Sequence, residues 1–296
     1  MNIYRSLVPL GKKTAVALGY FDGVHKGHKA VIDKTVELAK KMSLTSAVFT
    51  FDFSSQRPSG KGFSDIMDFD LKVRVIEKMG IEEYFAIDFS EIFSLEGKDF
   101  VDKILSHGCL NAALVCCGSD FRFGQGRNCG VEQLKKLCGP HGIQVFVVDE
   151  VYDKGAVSTT RIKRFIETGK IEAAGRLMGR PYITCGAVAE SYPFSEVSNC
   201  QVVRSFLPLG FVGPKSGEYQ GEARVGDETF GAITFVADIG EIKRFESYIV
   251  DFDGDPNSLE ISLLRAIKTE NAEKTEDERI EFIKSEIDRL RMRSYS

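Results

Sequence analysis

The sequence predicts an α/β fold: a doubly wound parallel sheet, then a small antiparallel β-barrel and a C-terminal helix. Three observations lead there. Over the first 180 residues, short continuous apolar runs alternate with stretches whose apolar residues recur at helical spacing. Beyond Gly179-Arg-Pro-Tyr182 the helical stretches stop, and β-rich runs follow one another across Gly-, Pro- and Asp-containing turns. Near the end the helical period returns on a strongly charged background.

The elements follow in order. Thr14–Phe21 is an apolar run that reads as a buried strand, and Val31, Ile32, Val36, Leu38, Ala39 and Met42 mark a helical stripe behind it. Ser46–Phe51 is rich in β-branched and aromatic residues, hence a second strand. Leu71, Val75, Ile76 and Met79 give a helix that Gly80 closes. Tyr84–Asp88 is a short strand, and 95–105 reads as one helix with Phe100, Ile104 and Leu105 on its inner face. Ala112–Cys117 is a strand, 131–137 a helix, Gln144–Val151 a strand, and Thr159–Thr168 and Ile171–Leu177 short helices. Such alternation demands right-handed crossovers, a parallel sheet and a ligand site beyond the carboxyl ends of its strands. The second part holds strands at Tyr182–Ala189, Gln201–Phe206, Tyr219–Val225, Gly231–Val236 and Phe245–Phe252, with a further one at Leu259–Ala266. In the final helix Thr275 and Glu278 form a capping box, and Ile280, Ile283, Ile287 and Leu290 form the apolar stripe. The expected division is therefore 1–181 and 182–296.

Composition narrows the class. A chain of 296 residues favours two domains, and 43% hydrophobic with 28% charged residues is ordinary globular usage. Disordered, collagen-like and coiled-coil chains are excluded. No apolar run approaches the ~20 residues of a membrane-spanning helix, and the N-terminal stretch is too weakly apolar for a secretory signal, so a cytoplasmic protein is expected. With 39 Lys+Arg against 43 Asp+Glu the formal net charge is −4, which argues against a nucleic-acid binder. Seven cysteines, none in a CxxC pair, indicate neither a zinc site nor a disulfide framework; no protein-held metal is expected. Only four histidines occur, and two of them are His25 and His28.

Those two lie in Gly19-Tyr-Phe-Asp-Gly-Val-His-Lys-Gly-His28, directly between the first strand and the first helix. Gly23 and Gly27 permit a tight turn and close approach of a ligand, and the helix N-terminus offers N–H groups to an anion. Asp22 reads as a residue that shapes this turn rather than a metal ligand. A second segment, Val157-Ser-Thr-Thr-Arg-Ile-Lys163, places three hydroxyls and two cations at the start of another helix, a second phosphate cradle.

Together these segments resemble the paired HxGH and SSTxxR motifs of class I nucleotidyltransferases, and more narrowly the bacterial bifunctional riboflavin kinase/FAD synthetase family. The resemblance extends through Gly118-Ser-Asp-Phe-Arg-Phe-Gly-Gln-Gly126 and Gly169–Tyr182, and so covers most of residues 14–182. It implies a Rossmann-like nucleotidyltransferase domain that joins FMN and ATP into FAD and pyrophosphate. It further implies His25, His28 and Arg161 as the catalytic set. Gly19, Phe21, Gly23, Gly27, Ser158, Thr159, Thr160 and Lys163 would bind the nucleotide, Asp120, Phe121 and Phe123 the flavin, and Mg²⁺ would accompany ATP. Departures exist: Thr159 and Lys163 stand where the family carries Ser and Arg, so Lys163 keeps charge but not a bidentate fork. The family's Pro-His-Pro segment is replaced by Phe51-Asp-Phe-Ser-Ser-Gln-Arg-Pro58, where Arg57 offers a cation.

In that family the barrel is a riboflavin kinase. Gly217-Glu-Tyr219 and Phe245–Asp255 resemble its later strands, with Glu246 at the place of its catalytic Glu. Its Pro-Thr-Ala-Asn stretch is missing; a shortened Glu190–Cys200 stands there, with Ser198 and Asn199 as the nearest substitutes. A base without a metal and nucleotide loop has no γ-phosphate to work on, so the barrel is expected to be a degenerate kinase. A fully bifunctional enzyme and a non-catalytic flavin or nucleotide binder are the alternatives; a sugar- or alcohol-phosphate cytidylyltransferase would leave the flavin-type barrel unexplained. Nothing in the sequence reports oligomeric state.

Overall fold

A computed structural model describes residues 1–53, 64–268 and 275–294. The chain divides into two compact units, one formed by Met1–Phe63 and Phe69–Ser158, the other by Ser64–Asp68 and Thr159–Ser296.

The first unit contains strands β1 (Asn2–Tyr4), β2 (Thr14–Leu18), β3 (Thr45–Asp52), β4 (Glu83–Asp88), β5 (Ala112–Gly118) and β6 (Gln144–Val148). Its helices are α1 (Lys26–Met42), α2 (Phe69–Glu77), α3 (Phe89–Ile92), α4 (Gly97–Phe100) and α5 (Val131–Cys138). The strands form one parallel sheet in the order β1-β4-β3-β2-β5-β6. β2 is central and every one of its five residues is buried, which is why it reads as a continuous apolar run rather than an alternating one. The chain first builds to one side of β2 through β3 and β4 and then crosses to the other side for β5 and β6, so a topological switch point lies at the carboxyl end of β2.

Four local differences separate the structure from the sequence reading. The first strand stops at Leu18, because Gly19 begins a turn in which Phe21 takes a left-handed conformation (φ 56°). β1 is an added edge strand; three residues with Ile3 exposed show no periodicity, and Tyr4 holds it by stacking on Phe85 at 4.4 Å. The helix expected over 95–105 is instead α4 followed by a π turn at Val101–Leu105, closed by the Ser106 N–H on the Val101 carbonyl. That wider turn puts Val101, Ile104 and Leu105 all in the core. The strand from Gln144 ends at Val148, short of Val151.

The second unit contains α6 (Thr159–Glu167), α7 (Ile171–Met178), strands β7 (Tyr182–Pro193), β8 (Cys200–Phe206), β9 (Gly217–Val225), β10 (Glu228–Ile239), β11 (Ile242–Val250) and β12 (Ser258–Lys268), and α8 (Glu276–Ser294). The strands close into an antiparallel barrel, β10-β11-β8-β7-β12-β9. Closure removes the exposed edges that an open sheet would present. α7 packs on β7 and β12, and α8 lies across β10 and β11. The capping box of α8 forms as expected: the Thr275 N–H donates to Glu278 Oε2 at 2.9 Å, and the Glu278 N–H to Thr275 Oγ1 at 3.3 Å. Ile283 and Ile287 bury completely against Val202, Ile233 and Tyr248.

All seven cysteines are thiols outside any disulfide, and five of them (109, 116, 117, 138 and 200) are buried. Burial raises the Cys109, Cys138 and Cys200 thiols to about 11 and Cys117 to about 12, so little thiolate forms near neutrality. A maleimide at about pH 7.5 is expected to modify only Cys129 and Cys185 in the native protein and all seven after denaturation, as counted by intact mass. Rapid native labelling of Cys117 would contradict this packing.

Candidate active site

The first unit places its histidine loop at the carboxyl end of β2. Gly19 leaves room for the Phe21 ring, which folds back and is buried; a Cβ on Gly19 would sit 2.9 Å from that ring. The chain then makes a tight turn at Asp22–Val24 with Gly23 at φ 73°, and even the β-branched Val24 is held at φ 33°. Backbone strain of this kind persists only where surrounding packing enforces it. Asp22 is buried within the turn.

His25 and His28 come together, but in distinct roles. His25 is the N-cap of α1: its Nδ1 accepts the His28 backbone N–H at 3.2 Å. An Nδ1 that accepts leaves Nε2 as the N–H donor of the neutral ring. The two imidazoles stack with centroids 3.6 Å apart and planes 17° apart, and the edge of Phe21 meets His28 at 5.4 Å. His28 is thus held against two neighbouring rings. α1 runs for 17 residues with no acidic residue in its first turn, so nothing on the helix offsets its positive N-terminal end. Gly27 permits this arrangement: a Cβ there would lie 3.1 Å from the His25 ring and 3.8 Å from the Val157 carbonyl oxygen. The segment leading into Ser158 therefore passes beside the histidine turn, and the Lys26 ammonium pairs with Asp153 on that segment at 3.1 Å. Neither Lys26 nor Asp153 figures in the sequence reading; their pairing depends on a contact 127 residues apart.

The rest of the second motif begins the second unit. Thr159, Thr160 and Arg161 form the first turn of α6, with Thr160 exposed and Ile162 anchoring the helix in the core. Lys163 Nζ donates to the Ser64 carbonyl, and the Arg161 guanidinium lies 5.4 Å from the Phe165 ring.

The Gly118–Gly126 segment leaves β5 as a turn. Asp120 is exposed; Phe121, half-buried, lines an open groove of about 380 Å³ with Arg122, Val131, Gln133, Lys135 and Val147. Phe123 is buried beneath Phe121, stacked on it at 5.8 Å and packed on Phe100 at 5.3 Å.

A further aromatic group, absent from the sequence reading, stands at the carboxyl ends of β2, β3 and β4. Tyr20 stacks on Phe51 at 4.9 Å, Phe53 meets both edge-on at 5.6 Å, and Phe89 closes on Phe51 and Phe53 at 5.2 and 5.1 Å. All four rings are partly exposed. The sequence signal was Phe51-Asp-Phe53 immediately after a strand, within the segment that replaces Pro-His-Pro. Arg57 lies outside the described residues.

The comparisons with known proteins agree with this geometry. Residues 9–161 match the family model described as FAD synthetase. A bifunctional riboflavin kinase/FMN adenylyltransferase of Listeria monocytogenes is 31% identical over 252 residues, 80% of this chain and 78% of its own length. The chain belongs to the FAD synthetase family. It is accordingly a nucleotidyltransferase. A second FAD synthetase relative, the bifunctional riboflavin kinase/FMN adenylyltransferase of Bacillus subtilis, is 29% identical over 75% of this chain and 71% of its own. The crystal structure of a protein described as a macrolide-efflux protein from Streptococcus pneumoniae superimposes with a TM-score of 0.83 at 25% identity, covering 98% of each chain. Among the described residues no helix is long and apolar enough to cross a membrane.

The barrel's Glu246 is 3% exposed and fully engaged. Oε2 accepts Arg204 Nε at 2.7 Å; Oε1 accepts the Tyr248 hydroxyl at 3.0 Å and Arg279 Nη2 from α8. Burial alone would raise its carboxyl, but the Arg279 charge and the Arg204 and Tyr248 hydrogen bonds outweigh burial and hold it below the usual range. Ser198 and Asn199 are exposed on the turn before β8. Register pairs Arg204 with Glu246 and Cys200 with Val250, which sets that turn at least four strand positions, about 13 Å, along the ladder.

Proposed function

We propose that this enzyme transfers the adenylyl group of ATP to the phosphate of FMN. A phosphate oxygen of FMN attacks Pα in line, a new P–O bond forms, the bond from Pα to the bridging oxygen breaks, and pyrophosphate leaves with that electron pair. No protein nucleophile is needed, so the protein's work is to align two polyanions and to stabilise charge on the α-phosphate and the leaving group. The observation that carries this reading is the stacked His25–His28 pair on the N-terminus of α1. His25 through Nε2 and His28 through its ring serve the α- and β-phosphates. Gly19, Phe21, Gly23 and Gly27 shape the loop that receives them. Ser158, Thr159, Thr160, Arg161 and Lys163 serve the β/γ end by hydroxyl and charge. Asp120 and Phe121 serve the flavin or adenosine, with Phe123 as the support beneath Phe121, and the Tyr20–Phe51–Phe53–Phe89 rings supply a second stacking surface.

Among the described residues no group of three or more His, Cys, Asp or Glu is assembled to hold a metal ion. Mg²⁺ fits as part of the ATP complex, bound by phosphate oxygens, where it neutralises charge on the triphosphate. The division of labour we propose follows 1–181 and 182–296, with transfer in the first part and a barrel that does not phosphorylate riboflavin in the second. The closed Arg204–Glu246–Arg279 cluster supports this, because a base must have a free oxygen for the hydroxyl it deprotonates. A cytoplasmic location accords with both substrates.

Incubation with FMN, ATP and Mg²⁺ is expected to give FAD and pyrophosphate in equal amounts, and riboflavin with ATP to give no FMN. No FAD above a His28→Ala control would overturn the transfer reading; FMN made from riboflavin would establish the bifunctional enzyme instead. Tight nucleotide binding without pyrophosphate release would favour the non-catalytic binder.

A further inference from the structure

Among the described lysines, Lys72 alone is buried, at 6% exposure. It lies on α2 between Leu71 and Val73, both also buried, where an apolar residue would pack at lower cost. Removing an ammonium from water costs several kcal/mol unless partners compensate, so a lysine in this place calls for a reason beyond packing. Two of its contacts are with one residue, Tyr20. Nζ lies 3.4 Å from the Tyr20 carbonyl oxygen and 4.5 Å from the centroid of the Tyr20 ring. The same carbonyl also accepts the Thr50 hydroxyl at 3.0 Å. Tyr20 is the residue between Gly19 and the left-handed Phe21, where β2 becomes the phosphate loop. α2 itself packs against the turn Asp22–Val24 that follows.

We propose that Lys72 is a positioning residue for adenylyl transfer. Its ammonium clamps the Tyr20 carbonyl and ring, fixes the turn from which His25 and His28 are presented, and adds buried positive charge behind the anion site. The clamp acts beside strained backbone: Phe21 and Val24 both stand at positive φ, and the Tyr20 carbonyl is anchored immediately before Phe21. Charge in so enclosed a position is screened less than charge at the surface, so it acts on a polyanion beyond van der Waals contact. The inference rests on the adenylyl-transfer reading above.

The test compares wild type with K72M and K72Q, which keep the stem and remove the charge, and with K72R, which keeps the charge. For each, kcat and KM for FMN and for ATP are measured, together with the thermal midpoint and the affinity for pyrophosphate by calorimetry. K72M is expected to lower kcat about tenfold or more with a smaller change in either KM, and to weaken pyrophosphate binding. Its midpoint should stay within about 2 °C of wild type or rise, and K72R should recover much of the loss. If K72M does not fold, the same criteria apply to K72Q. A folded charge-free variant whose kcat and pyrophosphate affinity stay within twofold of wild type overturns the proposal. So does a loss that merely follows the thermal midpoint and that K72R does not relieve. Should wild type make no FAD, the transfer reading fails by itself, and pyrophosphate affinity still decides whether Lys72 serves the anion site.

Discussion

His28→Ala is expected to lower kcat for FAD formation by about 10²–10³ while leaving the thermal midpoint near that of wild type. The magnitude is that of removing one preorganised donor from a charge-developing transition state, roughly 3–4 kcal/mol. Preorganisation is what the geometry provides: the His25 face at 3.6 Å and the Phe21 edge at 5.4 Å leave the His28 ring little freedom, so no reorganisation is needed as charge builds on the phosphates. Stability is spared because the hydrogen bond that starts α1 uses the His28 backbone N–H, which alanine retains. His25→Ala should behave differently. It removes the N-cap acceptor as well as an imidazole, so about 1 kcal/mol of stability goes with the activity, a midpoint shift of roughly 2–4 °C. Rate assays paired with calorimetry on both variants check the division. A His28→Ala enzyme at full rate would remove that ring from the site, and a His25→Ala enzyme with an unmoved midpoint would remove the cap.

The capping role shows what a sequence can and cannot display. Both histidines were visible as phosphate candidates from their spacing and their place before a helix. That His25 also caps the helix was not, because imidazole is an unusual cap and only the extended backbone at His25 (ψ 174°) turns Nδ1 toward the third residue. The buried strands β2 and β5 were legible because both faces are covered and their residues are uniformly apolar. β1 was not, since a three-residue edge strand has no pattern to read. The aromatic group of Tyr20, Phe51, Phe53 and Phe89 depends on the lateral order β4-β3-β2, which brings three strand ends side by side; local periodicity carries no information on that order. Lys72 was hidden for the same reason: one lysine among apolar neighbours on a helix looks like a solvated residue until the turn it touches is known. In the barrel, Glu246 was identifiable by resemblance, but its partners come from an adjacent strand and from a helix 33 residues later.

Glu246→Ala is expected to destabilise the barrel by about 2–3 kcal/mol, because it strands two guanidiniums and a tyrosine hydroxyl that share one carboxylate. The figure lies below that for a wholly buried pair, since the Arg204 and Arg279 side chains are 33% and 36% exposed and regain water when released. The loss should also loosen α8, whose first turn is tied to the barrel through Arg279. That guanidinium lies 4.5 Å from the centroid of the Phe235 ring, so Arg279→Ala should cost less than Glu246→Ala while acting on the same helix. A pH dependence follows from the depressed carboxyl. The ionised form is favoured in the folded barrel, so this contribution is complete above the ordinary value of 4.5 and is lost as pH falls through the lower folded value. Wild type should therefore lose barrel stability in acid, and Glu246→Gln, already uncharged, should show a flatter profile from a lower starting point. Calorimetry across that range, alongside a riboflavin-plus-ATP assay, separates anchor from base. If Glu246 deprotonated a flavin hydroxyl, wild type would make FMN and Glu246→Gln would lose that activity with its midpoint intact. An anchor gives the opposite pattern: no FMN from either protein, and a lower midpoint for the variant.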